Sequence, residues 1–134
     1  MDVSDILSPL NEAQRDAVAA ESQNMLVLAG AGSGKTRVLV HRIAWLIRAE
    51  EFSPWSILAV TFTNKAADEM KKRLHQLTGM GYNRFPWVRT YHSACLMILK
   101  RHCQIMGYTP PLQVFTVYQQ DKLTKELCVK NNID

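Results

Sequence analysis

The sequence predicts an α/β fold in which helices flank a parallel β-sheet. Two short apolar runs, at residues 25–29 and 57–60, have the length of buried strands, and residues 88–90 are a candidate third strand. Each of the three segments is followed by a predicted helix. This alternation favours a parallel sheet, because two neighbouring parallel strands need a long connection, usually a helix.

The elements can be assigned in chain order. Asn11 is a good N-cap for a short helix from Glu12 to Ala20. The apolar run at residues 25–29 predicts a buried parallel strand, and a glycine-rich turn follows at Gly30–Gly34. The later helices are predicted over residues 35–49, 65–77, 91–106 and 119–131.

Length and composition describe one globular domain at most. The chain has 134 residues, of which 47% are apolar and 21% charged, so it can form a core. No apolar run approaches the roughly 18 residues that span a bilayer, and the acidic N-terminus lacks a signal-peptide pattern. We therefore expect a cytoplasmic protein.

Cysteine usage does not favour a disulfide framework or a zinc site. The three cysteines are an odd number without a CxxC pair, and we interpret them as reduced and buried: Cys95, Cys103 and Cys128.

Charge is unevenly distributed along the chain. Residues 1–34 carry a net charge of −4 and residues 35–134 a net charge of +8. A basic body suits a polyanionic partner such as a nucleic acid or a nucleotide.

The residues after the first strand match a phosphate-binding loop of the Walker A type, with alanine at its first position. Glycines allow backbone N–H groups to surround a phosphate, and the helix that follows adds its N-terminal dipole. Lys35 would reach the β- and γ-phosphates of ATP, and the hydroxyl of Thr36 would ligate Mg²⁺. The predicted loop consists of Ala29, Gly30, Ala31, Gly32, Ser33, Gly34, Lys35 and Thr36.

Polar and aromatic residues follow the second and third predicted strands. The first group can bind phosphates and stack on a base of single-stranded DNA: Thr61, Phe62, Thr63, Asn64 and Lys65. The second group is Thr90, Tyr91 and His92. Alternation along the strand is equally consistent with a Phe62 side chain that is buried in the core and does not contact DNA.

These motifs, with the LNEAQR segment at residues 10–15, resemble those of UvrD-like superfamily 1 DNA helicases. The resemblance implies a RecA-like P-loop NTPase domain in which Gln14 reads the adenine edge and Arg37 packs on the adenine face. It implies that residues 61–65 and 90–92 contact DNA; here Tyr91 replaces the usual phenylalanine. The implied activity is ATP-dependent 3′–5′ translocation and duplex unwinding in repair or replication.

The resemblance also implies an organisation. Residues 1–107 would be the first part of the motor domain, and residues 108–134 would begin a helical insertion. The family's Mg²⁺ and water-orienting carboxylates are not found, because Asp68-Glu69 lies in a helix-periodic basic stretch and reads as surface charge. We therefore expect these 134 residues to be inactive alone. A stand-alone module that binds nucleotide or single-stranded DNA without catalysis is the alternative.

Overall fold

The computed structural model describes residues 3–21 and 23–133. It contains two units, residues 1–95 and residues 96–134. The first unit contains α1 (Ser4–Leu7), α2 (Glu12–Ala19), α3 (Lys35–Arg48), β1 (Ala59–Thr61), α4 (Asn64–Thr78), β2 (Val88–Thr90) and the start of α5 (Tyr91–His102). The second unit contains the rest of α5 and α6 (Val117–Lys130).

Four of the α-helices begin with a side-chain cap. The capping residues Asn11, Thr63, Thr90 and Thr116 each accept a hydrogen bond from the backbone N–H three residues further on. Such a cap satisfies one of the N–H groups that the first turn leaves without a partner. The predicted bounds of α2, α3, α4 and α6 are confirmed to within about two residues.

Two differences concern the ends of helices. The α-helix that starts at Tyr91 ends at His102, and residues Cys103–Met106 form a 3₁₀ turn instead of continuing it to residue 106. The short helix α1 was not predicted, because four residues are too few to show a helical period.

The two strands form a small parallel sheet. Ala59 lies opposite Val88, and Thr61 lies opposite Thr90. Helix α4 connects the strands and contacts both. The parallel arrangement of the second and third predicted strands is thus confirmed, although β1 begins two residues later than predicted.

The predicted buried strand at residues 25–29 is wrong for this structure. These residues have no strand assignment, and the side chains of Leu26 and Leu28 are 82% and 86% exposed. A strand requires a neighbour for its backbone hydrogen bonds, and among the described residues only β1 and β2 pair as strands. The less exposed side chains of Met25 and Val27 alternate with these leucines, as they would in an extended segment.

The core of the first unit lies where α3 and α4 pack together. Met70 and Leu74, one turn apart on α4, are 1% and 0% exposed, so truncating either to alanine would cost about 2–5 kcal/mol. The core cluster consists of Ile6, Leu10, Val18, Val38, Val40, Ile43, Ala44, Ile47, Ala59, Met70, Leu74, Phe85 and Val88.

The second unit has little buried surface of its own. None of the residues of α6 is buried. Cys103 is buried as predicted, whereas Cys95 in the first unit and Cys128 on α6 are half-buried. No helix within residues 3–21 and 23–133 has the length and apolar character to cross a membrane.

Candidate functional site

The glycine-rich loop leads directly into the N-terminus of α3. Gly34 is the N-cap residue, with a φ of 89° in the left-handed region that favours glycine. Lys35 and Thr36 are therefore the first two residues of a 14-residue helix, where backbone N–H groups have no helical partner. Such a helix start, with a glycine loop before it, is suited to binding a phosphate.

The ammonium group of Lys35 folds back over this loop. Its Nζ donates to the carbonyl oxygen of Ala29 at 3.0 Å and to that of Gly30 at 2.6 Å. The hydroxyl of Ser33 also donates to Gly30, at 2.7 Å. A lysine ammonium at a glycine-rich loop that precedes a helix is a donor that fits a polyphosphate.

Gln14 connects helix α2 to the same loop. Its Nε2 donates to the carbonyl oxygen of Ser33 at 3.1 Å, and its Oε1 accepts from the backbone N–H of Asn11 at 3.2 Å. A cavity of about 350 Å³ lies here, lined by Gln14, Lys35 and loop residues 28–30, among others. The structure thus places Gln14 and Lys35 in the lining of one cavity.

Arg37 lies away from this cavity. It is exposed on α3 and lines a different cavity, of about 380 Å³, with Val40, His41, Arg73, Gln76 and Leu77. The two side chains that the resemblance assigns to adenine, Gln14 and Arg37, therefore line different cavities in this structure.

His41, which the sequence analysis did not select, is the buried titratable group of this second cavity. Its Nδ1 lies 2.6 Å from the carbonyl oxygen of Ile6 and links α3 to α1. Burial lowers the pKa of His41, and the charge of Arg37 lowers it further, against the opposing effects of the Ile6 carbonyl and Asp5. The imidazole is therefore neutral around pH 7 and donates from Nδ1.

Two aromatic side chains follow the carboxyl ends of the paired strands. Because Thr61 lies opposite Thr90, the next residues, Phe62 and Tyr91, leave the sheet at the same edge. Phe62 is 91% exposed and Tyr91 is 63% exposed. The core alternative for Phe62 is thereby excluded. Exposed aromatic faces at one edge are suited to stacking with bases.

The polar residues of this edge divide into two groups. The hydroxyl groups of Thr61, Thr63 and Thr90 form hydrogen bonds with the backbone or with a neighbouring side chain. Thr61 donates to the Thr63 carbonyl at 2.9 Å, the Thr63 hydroxyl caps α4, and Thr90, only 9% exposed, donates to the Ser93 hydroxyl at 3.1 Å. Thr63 is exposed despite its capping role, and the other exposed polar residues, which are accessible to a ligand, are Asn64, Lys65 and His92.

The Asp68-Glu69 pair is surface charge, as predicted. Both residues are exposed on α4, and Glu69 pairs with Arg73 one turn further along the helix. In the part of the chain that the structure describes, no three His, Cys, Asp or Glu side chains lie together as metal ligands.

The signal for the link between Gln14 and the loop was partly present in the sequence. Asn11 and Gln14 have the spacing of a capping box, in which each residue bonds the other's backbone N–H. That spacing predicts the hydrogen bonds between Gln14 and Asn11. The contact of Gln14 with Ser33, 19 residues further on, depends on tertiary packing. The hydrogen bonds between Ser93 and Thr90 likewise have no periodic signal in the sequence.

The glycine-rich loop before α3 and the aromatic sheet edge have the features of a protein that binds nucleotides and nucleic acids. Residues 10–134 match the model of the UvrD/REP helicase N-terminal domain, and the chain belongs to that family. The whole chain is similar to DNA helicase II of Salmonella typhimurium and of Escherichia coli, at 52% and 51% identity. Over 129 residues, 96% of the chain, it is 43% identical to the ATP-dependent DNA helicase PcrA of Bacillus subtilis. The chain spans 18%, 18% and 17% of the lengths of these three relatives.

Proposed function

We propose that this chain forms the ATP-binding and DNA-contacting part of an ATP-dependent DNA helicase. The observation that carries the proposal is the convergence of Lys35 and Gln14 on the loop that begins α3. The names of the relatives support the binding of both ATP and DNA. By the same resemblance, the motor fold is RecA-like and translocation on single-stranded DNA runs 3′ to 5′.

Each residue has a proposed part in nucleotide binding. The N–H groups of Gly30–Thr36 surround the phosphates, Lys35 neutralises charge on the β- and γ-phosphates, and Thr36 ligates Mg²⁺ through its hydroxyl. Gln14 and Arg37 contact adenine. Arg37 would then have to leave the cavity that it lines beside His41.

The proposed DNA contacts lie at the edge where the two strands end. Phe62 and Tyr91 stack on bases, while Asn64, Lys65 and His92 contact phosphates or base edges. Thr61, Thr63 and Thr90 support these residues through the hydrogen bonds that hold the starts of α4 and α5.

Because residues 1–134 are expected to be inactive alone, the test is DNA-stimulated ATP turnover by a protein of the relatives' length that contains them, and by its Lys35→Ala variant. We expect turnover to be lost in Lys35→Ala and retained in Lys125→Ala, which removes an exposed lysine on α6. Near-normal turnover in Lys35→Ala would refute the phosphate-loop assignment. Nucleotide binding without turnover in that longer, unaltered protein would support the alternative, a binding module without catalysis.

The proposed contact between Thr36 and Mg²⁺ is tested separately. The Thr36→Ala variant is expected to lose ATP affinity in the presence of Mg²⁺ and to retain it when Mg²⁺ is chelated. Equal losses under both conditions would show that Thr36 does not act through the metal.

A further inference from the structure

We propose that Gln14 is a positioning residue for the phosphate loop and strengthens polyphosphate binding whether or not a base is attached. This inference rests on the proposed function of the loop and adds a role to adenine recognition. It follows from the hydrogen bonds at both ends of the Gln14 side-chain amide.

The amide of Gln14 is held from the side of α2. Its Oε1 accepts from the N–H of Asn11 at 3.2 Å, while the Asn11 side chain accepts from the N–H of Gln14 at 2.9 Å. This reciprocal pair fixes the rotamer of Gln14 at the first turn of α2. The Nε2 group is thereby presented to the loop by a rigid element.

On the loop side, the amide fixes one peptide plane. Nε2 donates to the carbonyl oxygen of Ser33 at 3.1 Å. In a planar trans peptide the C=O and the N–H of the next residue point in opposite directions. Holding the Ser33 oxygen towards α2 therefore turns the N–H of Gly34 away from α2.

The fit between Gln14 and the loop is close. A Cβ added at Gly34 would lie 3.0 Å from Nε2 of Gln14, so the amide packs against the backbone at the residue that caps α3. Gly34 has no side chain that would limit the rotation of this peptide plane. The Gln14 bond supplies the restraint that the glycine lacks.

A restrained peptide plane lowers the cost of binding a phosphate. Backbone N–H groups bind an anion best when their orientation is already set, because ordering them on binding reduces affinity. The net contribution of one neutral hydrogen bond corresponds to roughly a two- to tenfold change in affinity. This is the expected effect of losing the contact between Gln14 and Ser33.

The experiment compares two ligands on the full chain: ATP, and inorganic tripolyphosphate, which has no base. The variant is Gln14→Met, which keeps the length and neutrality of the side chain but removes both the N–H donor to Ser33 and the oxygen that accepts from Asn11. Gln76→Met, on the exposed face of α4, is the matched control. Both ligands are titrated calorimetrically into the same samples with Mg²⁺. The dissociation constant is fitted for the binding-competent fraction of the protein.

We expect Gln14→Met to bind tripolyphosphate about two- to tenfold more weakly, and ATP at least as much more weakly, while Gln76→Met binds both normally. Unchanged tripolyphosphate affinity would overturn the proposal, and if ATP affinity then falls, Gln14 acts on the base alone.

Failure of the proposed function gives a different result. If Lys35→Ala binds tripolyphosphate as well as the unaltered chain does, or if the unaltered chain binds neither ligand, the loop is not a phosphate site. The positioning role of Gln14 then falls with it. If Gln14→Met does not fold, Gln14→Ala provides the same comparison of the two ligands.

Discussion

Truncation of Phe62 separates DNA contact from folding. Because the side chain is 91% exposed, folding buries only about a tenth of it. Full burial of a phenylalanine is worth about 1.5–3 kcal/mol, so Phe62→Ala should change the free energy of unfolding by only about 0.1–0.3 kcal/mol. Loss of one stacked base should weaken single-strand binding by about 1–3 kcal/mol, a factor of roughly 5 to 150.

The assay pairs fluorescence anisotropy, using a labelled single-stranded oligonucleotide, with urea unfolding of the same samples. Phe85→Ala is the contrasting variant, because Phe85 is 1% exposed and its truncation should cost about 3–5 kcal/mol of stability. A Phe62→Ala protein that is clearly less stable but keeps its DNA affinity would refute the stacking argument. Equal DNA affinity at unchanged stability would refute it as well.

Two further predictions concern charge. Lys65→Ala should reduce the slope of log affinity against log salt by about 0.7 for a single strand, whereas Lys125→Ala should leave it unchanged; equal slopes for all three proteins would exclude a phosphate contact at Lys65. For His41, the lowered pKa means that the unfolded chain takes up a proton at a higher pH than the folded chain does. Stability should therefore fall as the pH drops below about 6.5, until the folded-state pKa is passed. Urea unfolding across this range should show a smaller fall in His41→Asn, and an identical fall would exclude His41 as its source.

The helices were largely predictable because their signals are local. A cap such as Asn11 or Thr63 and a 3.6-residue apolar period act within one element, so tertiary context changes the ends of a helix but not its existence. The segment at residues 25–29 shows the opposite case. Its apolar residues are those of a strand, but a strand exists only beside another strand, and the apolar pattern does not specify that partner.

The residue types of the candidate site were selected from the sequence, whereas their contacts were not. Sequence pattern selected the loop and the family resemblance selected Gln14, but the bond from Gln14 to Ser33 is a long-range contact that no period encodes. Alternation along β1 could not decide between core and surface for Phe62, because the residue follows the last strand position. Arg37 illustrates the same limit, since its helix was predicted correctly and its neighbours were not.

The contact between Gln14 and Gly34 makes the evolutionary constraints on the two positions unequal. Gly34 is restricted for two independent reasons, its left-handed φ of 89° and the 3.0 Å approach of the amide. A lineage that replaced Gln14 would remove the second restriction and keep the first. On the proposed roles of the loop and of Gln14, such a lineage would bind phosphate more weakly and its preference for adenine would decline. A lineage that replaced Gly34 first would strain the loop and displace the amide in one substitution. Substitution is therefore easier at position 14 than at position 34.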